Sequence, residues 1–331
     1  MKIEIPIKIA GIGRYLPDHI VKNSELETLC GVSKGWVEER NGVRERRWVT
    51  TETNSFMGAQ AAKEAVADAG LSLVDIDLIL NASGTAEQAI PDSSALIQKE
   101  LGMGKSGIAC MSVHTTCLSF VVALDLCASL IASGRYRNIL VVTSDIASVG
   151  INPKEPESAT LVGDAAAAVV ITRTPEGESS MLHSALLRTY GDGAYFTAIM
   201  GGGSRRHPNK ADTQPEDNLF HMDGLSALRM VNRYIYGFLD ELSPGLSKSC
   251  LDLDAIVPHQ ASKLGLMLLT RFGWPESKVI RTLEWLGNCV SASIPVTLYE
   301  GVKSGQIKRG SKVLLIGTSA GLSIGGVILT Y

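Results

Sequence analysis

At 331 residues, 45% of them hydrophobic and 20% charged, the chain is long enough for two ordinary domains or one large one, and its composition excludes disordered and fibrous classes. With 31 basic against 34 acidic residues, a net charge of -3, there is no electrostatic ground for a nucleic-acid partner. The six cysteines form no CxxC pair or metal-ligand spacing, the N-terminus lacks the pattern of a signal peptide, and no apolar run approaches the roughly 20 residues that span a bilayer, so a cytoplasmic protein without a metal is expected.

The N-terminal MKIEIPIKIAGIGRYLP alternates like a strand. Ser55 to Gly70 is Ala-rich with helical spacing and ends at a glycine, and it leads to a buried-strand run at Ile76 to Ala82. A second helix is predicted over Leu118 to Ser133, followed by the strand Asn138 to Thr143. Gly163-Asp164 opens the apolar run Ala165 to Val170; it lacks a phosphate-loop pattern and reads as a tight turn into a strand. The polar stretch Gly201 to Asn218 reads as a surface loop, and a last strand is predicted over Lys312 to Ile316, ending in the small-residue loop Gly317 to Gly321. Alternation of helix and strand throughout predicts an α/β fold.

The order repeats. Val74 to Ala82 (VDIDLILNA) resembles Leu251 to His259 (LDLDAIVPH), and SGRYRNILVVTS from Ser133 resembles SGQIKRGSKVLLIGTS from Ser304. Two similar halves are expected, 1–175 and 176–331. Cys117 and Asn288 each lie 16 residues before the Ser-Gly of their half, which predicts that each starts the equivalent helix.

Three residues are candidates for chemistry. Cys117 precedes an apolar helix, where unpaired N–H groups and the helix dipole would lower its thiol pKa toward neutrality; the alternative is a small buried hydrophobe, the reading given to Cys110, Cys127 and Cys250. His259 ends an apolar strand and is expected to start a helix, at a sheet edge where open α/β sheets gather functional groups, but could be structural. His19, His183, His207 and His221 read as loop or surface residues. Asn288, in LGNCVSASIP, is either catalytic or a helix N-cap, and the loop after the last strand could aim N–H groups at an oxyanion.

Taken in order, the motifs GRYLP (13–17), WVEERNGVRER (36–46), Cys117 with Leu118-Ser119-Phe120, LVGDAAAAVV (161–170), PHQA (258–261) and GN (287–288) through SIP (293–295) resemble the β-ketoacyl-ACP synthase III family of ketosynthases. The resemblance implies a duplicated five-layered αβαβα thiolase fold, a homodimer, and a Cys117-His259-Asn288 triad. It implies that Cys117 takes an acyl group from acyl-CoA, with N–H groups of Cys117 and of the Ser319-Ala320 loop holding the oxyanion. His259 and Asn288 then stabilise the enolate left when malonyl-CoA or malonyl acyl carrier protein loses carbon dioxide. Trp36, Arg40, Ile90, Gly224 and Arg229 fall at substrate-binding positions, and no cofactor is required.

The chain departs from the family at several positions. Val149 stands where an arginine stacks on the CoA adenine opposite the tryptophan, Leu264 replaces a basic carrier-docking residue, Ser262 replaces an asparagine, and His114 lies close to the nucleophile. Arg271 keeps a basic position. Two other readings remain: transfer of the acyl group to an oxygen, nitrogen or other carbon nucleophile, and a non-catalytic partner subunit, which would be free to lose the nucleophile.

Overall fold

The computed structural model describes residues 2–331. Strands β1 (Lys2–Ile5) and β2 (Ile7–Tyr15) part at Pro6 and enter different sheets. A ribbon of β3 (Ile20–Lys22) and β4 (Glu45–Arg47) brackets two short helices, α1 (Asn23–Cys30) and α2 (Trp36–Asn41). The chain then runs through α3 (Asn54–Asp68), β5 (Leu78–Asn81), α4 (Ser93–Glu100), β6 (Ala109–Ser112), α5 (Ser119–Ala132), β7 (Asn138–Asp145), α6 (Pro156–Ala159) and β8 (Ala165–Arg173). These complete a sheet of order β2-β8-β7-β5-β6.

After β8 come β9 (Met181–Thr189), the two-residue pair β10 (Thr197–Ala198) and β11 (His221–Met222), and α7 (Gly224–Leu242). Next are β12 (Ala255–Pro258), α8 (Lys263–Leu268), α9 (Leu283–Leu286), α10 (Ser293–Lys303) and the hairpin β13 (Lys312–Ser319) and β14 (Ser323–Thr330). The second sheet has the order β1-β9-β14-β13-β12. β9, β14, β13 and β12 repeat the arrangement of β2, β8, β7 and β5: the first three antiparallel, the last pair parallel.

Five layers follow from how apolar faces are shared. α5 and α10 lie between the sheets, where Leu118, Phe120, Leu124, Ile294 and Leu298 pack with residues of both, such as Val141, Val169, Val257 and Leu315. Burying each such side chain contributes roughly 1.5–3 kcal/mol. Outside the first sheet lie α3 and α4, and outside the second α7. The alanines of α3 have a use: a Cβ on Gly11 or Gly13 of β2 would stand 2.3 Å from the carbonyl of Ala65 or Ala61, so the helix backbone rests directly on the sheet.

Four expectations change. The Gly317–Ser319 segment is strand, and the chain continues through β14, which pairs with β9 in the middle of the sheet. The helix after His259 starts at Lys263, capped by Ser262, whose hydroxyl accepts the Gly265 N–H at 3.1 Å. His183 lies in β9, with its ring on Thr330. The repeat has a different register at its chemical end. A 3-10 turn Thr116–Leu118 runs into α5, and a turn Val290–Ala292 runs into α10, each opened by a left-handed residue (Thr116 φ 48, Val290 φ 51). Cys117 is therefore matched by Ser291. The equal spacing of Cys117 and Asn288 arises because α10, with 11 residues, is shorter than α5, with 14.

Candidate active site

Cys117 occupies the middle of the turn Thr116–Leu118. The turn is held by Ser119, whose hydroxyl accepts the Thr115 N–H at 2.9 Å and donates to the Thr116 carbonyl at 2.8 Å. Cys117 is half-buried at the contact of this turn with β13, and desolvation pushes the thiol up to about 12, helped by the nearby Asp145 carboxylate. The N–H groups of Cys117 and Ala320 act in the opposite direction and lose. Desolvation thus moves the thiol in the direction opposite to the lowering expected at a helix terminus. The same two N–H groups converge beside the sulfur, where an oxyanion on an attacked thioester would form.

His259 follows β12 and is positioned by backbone. Its N–H donates to Ile316 of β13 at 2.7 Å, and Gly317 leaves room for the side chain: a Cβ there would lie 2.6 Å from His259 Cβ and 3.3 Å from Leu118. His259 and the nucleophile's turn thus meet over one glycine. Gln260 anchors the bend, donating to the carbonyls of Pro258 and Ile280 and accepting the N–H groups of Thr282 and Leu283. The imidazole is 6% exposed, its Nδ1 has no partner among the described residues, and burial lowers its pKa to about 4, so it is neutral near pH 7.

Asn288 is reached through two close backbone approaches. Its N–H donates to Leu161 at 2.8 Å and its carbonyl accepts the Gly163 N–H at 3.0 Å. A Cβ on Gly163 would lie 2.0 Å from the Leu286 carbonyl, and one on Gly287 (φ 67) would lie 2.3 Å from that of Leu161. The LVGD motif is therefore a seat for Asn288, while Asp164 accepts the N–H groups of Val49, Ala147 and Ser148 and the Ser148 hydroxyl. Asn288 Oδ1 accepts the Val290 N–H at 2.9 Å, which leaves the amide Nδ2 facing Ala261 O at 3.4 Å, a long contact. Asn288 is not the N-cap expected as its alternative role: Cys289 precedes the turn Val290–Ala292 and Ala292 precedes α10, and the Oδ1 bond to Val290 closes a local turn that leaves the amide as a donor.

Asn288 Nδ2 reaches the residue two beyond His259, and the turn after it contacts the Cys117 turn. The three candidates are thus on mutually packed segments. An open cavity of about 400 Å³ is lined by Thr116, Ala320 and Gly321 on one side and by Tyr195, Ile199 and Arg205 on the other.

The other candidates lie further out. Trp36 opens α2 half-buried, and Arg40 on the same helix is exposed and paired with Glu157 at 2.6 Å. Gly224 begins α7, Arg229 is exposed one turn on, and Ile90 is 86% exposed between β5 and α4. Ser319 ends β13 with its hydroxyl near the Ala320 carbonyl. Val149 is 79% exposed, and Leu264 is exposed on α8. Sequence reasoning missed Asp145, a charge ending a strand that is otherwise almost wholly buried, and Arg46, fully buried with carbonyls of Val21 and Thr160 as acceptors.

Two family models match the chain: 3-oxoacyl-[acyl-carrier-protein] synthase III over residues 111–194, and its C-terminal model over 246–331. A beta-ketoacyl-[acyl-carrier-protein] synthase III of Aquifex aeolicus is 31% identical, covering 98% of this chain and 99% of its own. The chain belongs to the β-ketoacyl-[acyl-carrier-protein] synthase III family. A second member, from Bacillus cereus, is 32% identical over 98% of this chain and 99% of its own. The crystal structure of the synthase III from Aquifex aeolicus covers the whole of both chains at 29% identity with a TM-score of 0.86. The fold is accordingly the α/β thiolase fold, and the chain is a condensing enzyme of the ketosynthase kind. Among the described residues no helix is long and apolar enough to cross a membrane.

Proposed function

We propose that this synthase III family member loads an acyl group from an acyl thioester such as acyl-CoA onto Cys117 and condenses it with malonyl-CoA or malonyl acyl carrier protein. In the first step Cys117 sulfur attacks the thioester carbon, the carbon–sulfur bond to the donor breaks, the departing donor sulfur takes the proton that Cys117 gives up, and the N–H groups of Cys117 and Ala320 hold the oxyanion. In the second step the bond from the malonyl methylene to its carboxylate breaks. The enolate oxygen takes hydrogen bonds from His259 and Asn288, the carbanion attacks the acyl carbon, and the Cys117 sulfur leaves and takes up a proton from solvent. The product is a β-ketoacyl thioester, with carbon dioxide released, and nothing in these steps calls for a metal or redox cofactor. In this reading residues 1–175 bring the nucleophile, and 176–331 bring His259 and Asn288.

The observation that carries the reading is the pairing of a neutral, buried His259 with an Asn288 whose amide oxygen is already occupied. Two uncharged donors stabilise an enolate without supplying a strong acid that would protonate the carbanion. Trp36, Arg40, Gly224 and Arg229 would lie along the approach of the thioester's carrier. A homodimer would be formed by β6, an edge strand with exposed Ala109, Met111 and Ser112, beside Ile90. An exposed strand edge pairs readily with a second copy.

The covalent step is tested by intact mass after incubation with a panel of acyl-CoAs. Wild type gains one acyl group and Cys117→Ala gains none. An equal adduct on the alanine variant, or none on either, would sink the reading.

A further inference from the structure

One buried anion has no part in these steps. β7 and β13 are both eight residues long, so Asp145 ends the first as Ser319 ends the second. The Cys117 turn packs on β13, and the matching turn with Ser291 packs on β7. Where one half of the repeat sets a thiol against the Ser319-Ala320 backbone, the other sets a serine against a carboxylate.

Asp145 is 0% exposed. Its Oδ1 accepts the N–H groups of Gly84 at 2.8 Å and Thr85 at 2.7 Å and the Thr85 hydroxyl at 3.0 Å. Its Oδ2 accepts the Ala292 N–H at 3.0 Å and the Ser291 hydroxyl. Both hydroxyls are committed as donors. Ser291 Oγ already accepts the Gly84 N–H, and Thr85 Oγ1 accepts Asn54 Nδ2 and the Ile146 N–H. Burial raises the pKa of this carboxyl, and the five donors around it act in the opposite direction, favouring the ionised form. Gly84 lies between this anion and the nucleophile: a Cβ there would be 3.3 Å from both Asp145 Oδ1 and the Thr116 carbonyl.

Taking Cys117 as the nucleophile, as above, we propose that Asp145 is a positioning residue that fixes the Cys117 turn across the two halves and keeps the resting sulfur a thiol rather than a thiolate. The other groups facing the sulfur are uncharged. Ser119 to Val122 of α5, Gly317 to Ser319 of β13, and Ser323 to Gly326 of β14 hold no ionisable group, and His259 is neutral. His114, one turn before the thiol, is exposed and points its Nε2 at the Gly84 carbonyl at 3.2 Å. Cys289, behind the second turn, is buried, with its thiol pushed well up by burial. The anion disfavours a second negative charge beside it, in the same direction as burial. The resting enzyme is thereby guarded against stray electrophiles, and the sulfur expelled in condensation recaptures a proton readily.

The test is the rate of Cys117 alkylation by iodoacetamide between pH 6 and 10.5, read by peptide mass on wild type, Asp145→Asn, Asp145→Ser and Ser291→Ala. Removing the charge is expected to shift the profile downward by about one pH unit, a roughly tenfold faster reaction near pH 8. Ser291→Ala keeps the charge and loses two hydrogen bonds, to Asp145 Oδ2 and from the Gly84 N–H, so its melting temperature falls while its profile stays. Two neutral variants are used because the amide leaves the Ala292 N–H without an acceptor. A folded neutral variant with the wild-type profile overturns the proposal. Acyl loading from acyl-CoA is measured in parallel: its absence in wild type would refute the nucleophile reading, whereas the alkylation profile alone decides the role of Asp145.

Discussion

His259 and Asn288 share a lack of charge, and each achieves it differently. Burial holds the imidazole neutral, and the Val290 N–H fixes which end of the Asn288 amide faces the site. Placing a carboxylate at the second position, Asn288→Asp, should leave acyl loading intact and lower the condensation rate by about 10²–10³, since a negative charge would stand where the enolate charge develops. Separate loading and steady-state assays check this. His259 also ties stability to pH. Its folded pKa of about 4 lies below the ordinary 6.5, so the unfolded chain binds a proton that the folded chain refuses, and stability falls as pH drops from 6.5 to 4. The loss is on the order of 3 kcal/mol at most, and urea midpoints at pH 7 and pH 4.5 should converge when His259→Gln is compared with wild type. Cys117, His259 and Asn288 were legible as candidates from local pattern. The state of the thiol was not, because Asp145 and Ala320, which act on it, are distant in sequence.

At the scale of elements, the site depends on glycines that let backbones touch. Gly163→Ala should push Leu286 away and displace Asn288, costing roughly 1–3 kcal/mol from overpacking, seen in urea melts, with condensation falling more than loading. The buried strands were readable because β5, β7 and β8 are nearly continuous apolar runs, two of them in parallel pairing. β14 was missed because Gly325-Gly326 and the small residues before it weaken the strand signal; each glycine admits a neighbour, Leu118 at 3.0 Å or Leu242 at 2.8 Å from a built Cβ. The internal repeat was visible, but its register at the nucleophile was not, since helix length cannot be read from equal spacing to a shared Ser-Gly.

For the whole molecule, the duplicated fold brings two turns and two strand ends to one central region and gives them different chemistry. The exposed edge of β6 predicts a two-chain particle by light scattering. Met111→Lys, which would set like charges facing each other across such an edge, should shift it toward one chain while the far-UV spectrum stays. The central claim is that acyl-Cys117 is discharged by a carbanion from malonyl thioester. Purified acyl-enzyme, mixed with malonyl-CoA or malonyl carrier protein and followed by intact mass and product analysis, should return to the unmodified mass with release of carbon dioxide and a β-ketoacyl thioester. An acyl-enzyme that persists with both malonyl donors, but transfers its acyl group to an alcohol or an amine, would contradict it.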